Sequence, residues 1–347
     1  KMRALDRQNR ETGAILSGMN DALIVLSPDG RVARANRAAC ELFSLDGETA
    51  TGMPLIQAVR SVDVVDFLSR AREDGSETTV ELKAPSGTKS LLVRLSRADE
   101  GGSEILVFSD ITRLKKLERI RKDFVANVSH ELKTPITSIQ GFIETLKDGA
   151  IEDPQAARRF LDIMDGQTSR LGAIIDDLLT ISRLEQSEGS AIPREETRIA
   201  DLFEGVRGLC GEFARKKGTE LSFEAPEGLS CPVNPGLIEQ ALVNLALNAI
   251  KYSPEGARVA VSARLKRDDS SSALILEVAD NGIGLSEKDR GRVFERFYRV
   301  DKGRSREQGG TGLGLSIVRH IALAHGGTVS VDSVEGVGST FRITVPV

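Results

Sequence analysis

The stretch Phe124-Val-Ala-Asn-Val-Ser-His130-Glu131-Leu-Lys-Thr134-Pro135 sets a single histidine in a strongly helical, amphipathic segment. A carboxylate follows it directly, and a threonine comes one helical turn later. The other two histidines, His320 and His325, lack such company. Apolar residues recur at Leu117, Ile120, Phe124, Val128, Leu132, Ile136, Ile139, Ile143 and Leu146, close to the ~3.6-residue helical period. Val128 and Leu132 lie two residues to either side of His130, about 200° away around the axis, so the ring points away from the stripe.

A free imidazole, with a pKa of about 6.5, is neutral and nucleophilic at pH 7. Glu131 is placed to orient the ring or accept its proton as phosphorus is attacked. Thr134, at i+4, shares the face of His130 and is placed to position a water for the reverse, hydrolytic chemistry. The plain alternatives are a surface histidine, a solvated carboxylate and a hydroxyl bonded back to the preceding turn. Pro135 removes the helical donor to the Glu131 carbonyl, which predicts a kink one turn after the histidine.

Working outward, a loop around 149–154 ends this helix. A second stripe follows: Phe160, Ile163, Met164, Leu171, Ile174, Ile175, Leu178, Ile181 and Leu184. Two long helices with a short connection form an antiparallel hairpin. Two helices cannot enclose a core, so the exposed stripes predict a homodimer closing into a four-helix bundle.

At 347 residues the chain is long for one core. Its 47 Lys and Arg balance 51 Asp and Glu, so no basic excess asks for nucleic acid. Cys40, Cys210 and Cys231 form neither a metal-ligand spacing nor a disulfide framework, which suits a reducing compartment. No apolar run approaches the ~20 residues of a membrane span. The polar opening, Arg3 to Leu16, reads as a helix continuing from a longer protein, with cytoplasmic-membrane anchoring expected upstream.

Beyond the polar linker 189–193, strands and helices alternate from 194 to 347. Leu237 to Ser253 reads as an amphipathic helix carrying Asn244, Asn248, Lys251 and Tyr252 on one face. Two amides and an ammonium suit a metal–triphosphate, with Asn248 supplying a carbonyl oxygen to Mg²⁺. A polar solvent face is the plain alternative. Asp280-Asn-Gly282-Ile-Gly284 follows a strand; its carboxylate is placed to accept from an adenine amino group, and its glycines let backbone approach the base. Gly310-Thr311-Gly312-Leu313-Gly314-Leu315 leads into a helix, whose free N–H groups suit phosphate. The spacing is not that of a dinucleotide fingerprint, and no Lys-Ser/Thr completes a P-loop. Between them lies 285–309, with Phe294-Glu-Arg-Phe297-Tyr298-Arg299, polar and basic around its aromatics. It suits a mobile lid over the nucleotide; a surface loop with aromatic anchors fits equally. Arg299 is a candidate phosphate contact. The glycines of Gly336-Val-Gly338 turn a hairpin.

His-Glu-Leu-Lys-Thr-Pro resembles the H box of HisKA-type sensor histidine kinases. Asn248, Asp280 and the glycine loop, in this order, resemble the N, G1 and G2 boxes of the GHKL (Bergerat) ATP-binding fold, and the aromatic run resembles its F box. Hydrolysing members of that fold generally carry a glutamate one turn before the metal-binding asparagine. Here that position is Asn244, and an amide is no base for water. The resemblance therefore implies phosphoryl transfer from Mg²⁺-ATP to His130, and onward to an aspartate of a response-regulator receiver domain, with Thr134 implying the reverse phosphatase activity. Within the kinases, 124–146 is most similar to phosphate-regulon and cell-wall sensors. A GHKL ATPase dimerised by its hairpin, and a non-catalytic nucleotide-binding adaptor, remain open.

The first zone, 17–111, is mixed. Strands are expected at Ala22–Leu26, Arg31–Ala35, Thr78–Leu82, Ser90–Leu95 and Glu104–Phe108, and helices at Ala38–Phe43 and Val62–Ala71. Asn36 and the exit Asp110-Ile-Thr112 resemble a PAS sensor domain. Without a histidine it holds no histidine-ligated haem, and Cys40 reads as a small core residue. The expected architecture is multidomain α+β: a signalling helix (1–16), a PAS-like α/β domain (17–111), a dimerising phosphoacceptor hairpin (112–188), the linker, and an α/β-sandwich ATP-binding domain (194–347).

Overall fold

The computed structural model describes residues 18–74, 79–84, 88–97, 102–186, 192–268, 271–300 and 311–347. The expected N-terminal helix, most of the linker, the turn at 85–87, Gly310 and the lid from 301 lie outside them. Packing divides the chain into two compact units between Asp123 and Phe124.

In the first unit, strands β1 (Ala22–Leu26), β2 (Val32–Ala35), β3 (Thr79–Lys83), β4 (Ser90–Arg97) and β5 (Glu104–Asp110) form an antiparallel sheet in the order β2-β1-β5-β4-β3. Helices α1 (Arg37–Phe43), α2 (Gly47–Ala50), α3 (Leu55–Val59) and α4 (Val62–Asp74) fill the long connection from β2 to β3. The four- and five-residue α2 and α3 are too short to show a period, and the sequence reading missed both. Phe43 meets Phe108 edge-on at 5.0 Å inside the core. Asn36 caps α1: its Oδ1 accepts from Ala39 N and from Leu23 N, both at 2.9 Å, tying the helix to β1. At the exit, Asp110 Oδ1 accepts from Thr112 N at 3.0 Å, while Thr112 Oγ1 accepts from Ser90 N at 2.9 Å. The Thr112 hydroxyl, which donates to the same Oδ1, and the Thr112 amide hold the Asp110 carboxyl below the ordinary range, and the bond from Ser90 pins the start of the next helix to the sheet.

That helix, α5 (Thr112–Lys147), runs unbroken through the buried Pro135. After a 3₁₀ turn at Ala150–Glu152, α6 (Pro154–Gln186) returns. Phe142 and Phe160 stack at 5.2 Å across the hairpin. Of the two stripes, Leu117, Ile120, Ile136, Ile143 and Ile175 remain exposed within one chain.

The last region holds a mixed sheet, β11 (Thr328–Val334)-β12 (Gly338–Pro346)-β10 (Ser271–Asp280)-β9 (Arg258–Asp268)-β7 (Glu220–Glu224), with β7 and β9 parallel. A two-stranded ladder joins β6 (Glu195–Arg198) to β8 (Ser230–Val233). The inward residues Leu274, Leu276 and Val278 of β10 pack with helices α7 (Ile199–Lys216), α8 (Pro235–Tyr252) and α10 (Gly314–Ala324). A one-turn helix, α9 (Glu287–Arg290), precedes the aromatic run. Asn234 caps α8 through Leu237 N at 3.1 Å, with Pro235 at the first turn. Ile181 and Leu184 of α6 enter this same core, so the hairpin's second helix is packed into the sandwich through its last turns.

Candidate phosphoacceptor and nucleotide site

His130 is exposed on α5, as the helical phase requires. Thr134 Oγ1 donates to the His130 carbonyl at 3.1 Å, the back-bond that was the plain alternative for this hydroxyl. Glu131 departs from the expectation of a carboxylate turned to its neighbouring imidazole. It accepts from Arg170 Nη2 of α6 at 3.0 Å, and Arg299 Nη1 lies 3.9 Å from its other oxygen. These side chains are 18, 14 and 9% exposed respectively. Arg170 Nε, Arg299 Nε and Arg299 Nη2 are buried without a hydrogen-bond partner.

The α8 face forms as its spacing predicts. Asn244, Asn248, Lys251 and Tyr252 are half-buried, while Leu242, Leu245, Ala246 and Ala249 fill the core. The buried Asn244 Nδ2 has no partner. Gly314, first residue of α10, is close enough that a Cβ there would sit 3.6 Å from the Asn244 amide. Lys251 Nζ lies over the Tyr252 ring, 5.3 Å from its centroid. Burial first, then the charges of Arg299, Arg170 and Lys217, push the Lys251 ammonium down to about 8. Lys217 Nζ donates to the carbonyls of Ile250 (2.7 Å) and Lys251 (2.6 Å), closing the end of α8.

Asp280 ends β10, and its Oδ1 accepts from Gly282 N at 2.9 Å. Burial raises this carboxyl above the ordinary range despite that bond. Of the glycines behind it, Gly282 lies against the Asp280 carboxylate and the Tyr252 carbonyl, whereas Gly284 is crowded by the chain's own β11. At Gly284, with φ +66°, a Cβ would come 2.0 Å from the Val334 carbonyl oxygen; at Gly338 it would come 2.1 Å from that of Asp280. These glycines let the chain pack against itself, and so hold the Asp280 loop against the β11–β12 hairpin.

In the glycine loop, Gly312 takes φ +73° and its carbonyl accepts from Phe297 N at 2.8 Å. Thr311 Oγ1 donates to Asp177 Oδ2 of α6 at 3.0 Å and accepts from Leu313 N at 3.2 Å. Leu313, expected beside a ligand, is fully buried in the core, so only its backbone faces the loop; Leu315 is half-buried against that core. Phe294 anchors against Phe341, and Phe297 (φ +61°) lies 5.9 Å from the Phe124 ring of α5. Arg296 pairs with Glu185 of α6.

Arg170 and Asp177 escaped the sequence reading. The signal was available: with Ile174, Ile181 and Leu184 they occupy i, i+4, i+7, i+11 and i+14, one helical face. Charges in phase with three buried residues mark a face turned toward a partner rather than water.

The nucleotide side offers a donor set fitting ATP: an orphaned buried amide, orphaned guanidinium nitrogens, and a lysine whose ammonium is lowered by burial and by neighbouring cations. Asn248, half-buried on the same face of α8, would add an amide oxygen to a Mg²⁺ bound there. Among the described residues, no three His, Cys, Asp or Glu are grouped to hold a metal by themselves. No described helix is long and apolar enough to cross a membrane.

Three family models match the chain: the PAS fold over 10–111, the His Kinase A (phospho-acceptor) domain over 120–187, and the histidine kinase-, DNA gyrase B- and HSP90-like ATPase over 233–347. The sensor histidine kinase WalK of Bacillus subtilis (strain 168) is 34% identical over 349 residues, covering 98% of this chain and 56% of that protein. A sensor protein kinase WalK of Staphylococcus aureus is 31% identical over 346 residues, covering 98% and 82%. The chain spans about half the length of most such curated relatives. Among solved structures, histidine kinase ThkA in complex with response regulator protein TrrA aligns at a TM-score of 0.50, with 26% identity over 96% of this chain and 97% of that one. With its PAS, phosphoacceptor and ATP-binding domains in this order, the chain belongs to the sensor histidine kinase family.

Proposed function

We propose that this chain transfers the γ-phosphoryl group of Mg²⁺-ATP to His130, passes it to an aspartate of a response-regulator receiver domain, and works as a homodimer through 112–188. The carrying observation is the junction at Glu131. The residue beside the exposed histidine is held by Arg170 of the hairpin and approached by Arg299 of the nucleotide domain. The single carboxylate of α8, Glu239, instead lies against Gly205 of α7, where a Cβ would come 2.5 Å from it. The helix lining the site therefore has no base for water.

In this reading Asp280 takes the adenine amino group, Asn244 and Lys251 donate to phosphate oxygens, Tyr252 packs beside Lys251, and Asn248 supplies oxygen to the metal. The backbone of Thr311, Gly312 and Gly314 lines the phosphate path. One His130 ring nitrogen attacks phosphorus, the bond to the bridging oxygen breaks, ADP leaves, and Glu131 takes the proton from the other ring nitrogen. Thr134, freed from its back-bond, is placed to hold the water that hydrolyses the regulator's acyl phosphate. The exposed Leu117, Ile120, Ile136, Ile143 and Ile175 support the dimer.

The test is incubation with γ-labelled ATP and Mg²⁺. Acid-labile, alkali-stable label that disappears in His130→Gln supports the kinase. Stoichiometric free phosphate with an unlabelled chain would instead indicate an ATPase.

A further inference from the structure

Arg170 and Arg299 bring two guanidinium groups to one carboxylate, Glu131, at 3.0 and 3.9 Å. Burial first, and then the charges of these two arginines and of Lys217, lower the Lys251 ammonium. Three buried guanidinium nitrogens and the Asn244 amide nitrogen have nothing to donate to. Burying such donors unpaired is costly, and an anion with several acceptor oxygens satisfies them together. Arginine is suited to this, since its planar fork matches phosphate.

Resting on the kinase reading, we infer that Arg170 of the phosphoacceptor hairpin is a γ-phosphate-holding residue, completing with Arg299 a site that the nucleotide domain does not close alone. In the state observed, Glu131 occupies part of that site. An incoming γ-phosphate competes with Glu131 for the two guanidinium groups. Its arrival releases the carboxylate beside His130, where the proton has to go. The same two arginines thus hold the phosphoryl group being transferred and control the base. The arginines exchange only hydrogen bonds during the transfer.

The test uses the full chain with His130→Gln, so that bound ATP keeps its phosphate. Affinities for Mg²⁺-ATP and Mg²⁺-ADP are measured by calorimetry with and without Arg170→Met. Charge-assisted hydrogen bonds of this kind predict a loss of about tenfold or more for ATP, with ADP affinity unchanged and Arg170→Lys intermediate. Unchanged ADP binding also certifies the fold. An equal loss for both nucleotides, or no loss for either, overturns the inference. Labelling of the His130-bearing chain from γ-labelled ATP is scored separately: its absence sinks the kinase reading, whereas labelling with an unchanged ATP-to-ADP ratio in Arg170→Met sinks only the role of Arg170.

Discussion

Glu131, the residue after the candidate phosphoacceptor, accepts a hydrogen bond at 3.0 Å from Arg170 on the other helix of the hairpin. The pair is largely withdrawn from solvent, so it is coupled to the nucleotide domain through Arg299 rather than being an ordinary surface ion pair. The residue beside the acceptor is therefore governed from two elements distant in sequence.

Replacing Glu131 by Gln keeps size and hydrogen bonding while removing the base. General-base loss predicts about a 10²-fold or greater fall in His130 labelling rate. ATP affinity should hold or improve, because Arg170 and Arg299 lose their competing carboxylate. Single-turnover labelling beside equilibrium binding separates the two; labelling at the wild-type rate would remove Glu131 from the chemistry.

The Lys251 ammonium, lowered to about 8 by burial and neighbouring cations, gives nucleotide binding a pH signature. Phosphate oxygens raise it again, so binding at pH 8 takes up protons. ATP affinity should fall as pH rises through 8. Calorimetry in buffers of different ionisation enthalpy measures the uptake, and Lys251→Met should abolish it.

His325 is buried as the neutral ring: Nδ1 donates to the Ile321 carbonyl at 2.8 Å and Nε2 accepts from Asn234 N at 3.1 Å. Burial lowers its folded pKa beneath the ordinary 6.5. Below pH 6.5 the unfolded chain takes a proton that the folded chain refuses, so stability present above 6.5 is lost as pH falls toward the folded pKa. Melting of the ATP-binding region from pH 7.5 to 5 should show this loss, with a flatter dependence in His325→Gln.

Gly284→Ala combines a positive φ with a Cβ 2.0 Å from the Val334 oxygen. A loss of about 2 kcal/mol or more is expected from left-handed backbone strain and overpacking. Gly291→Ala, with open space around its Cβ and no positive φ, is the control and should shift denaturant midpoints little.

Much of this was legible beforehand because it is local. Helical period put His130 opposite the apolar stripe and gathered Asn244, Asn248, Lys251 and Tyr252 on one face. Strand alternation gave the strands of the first zone within a residue or two, and β1 to the residue. What was hidden depended on long-range approach. Leu313 reads as part of a ligand loop, yet packing draws its side chain into the core. Gly282 and Gly284 read as making room for a base, yet at Gly284 the crowding neighbour is the backbone of β11.

The sequence by itself determined the order of the three zones, the exposed position of the candidate acceptor His130, and a helix with an amide, Asn244, one turn before the candidate metal-binding Asn248. The positions follow from periodicities and spacings within a few turns, and the roles from the resemblance that these motifs carry. Only tertiary structure decided where Glu131 points, because its partners Arg170 and Arg299 lie on other elements. A carboxylate settles wherever cations have already been buried, and that is set by how α5, α6 and the aromatic run pack, not by the residue one position before it.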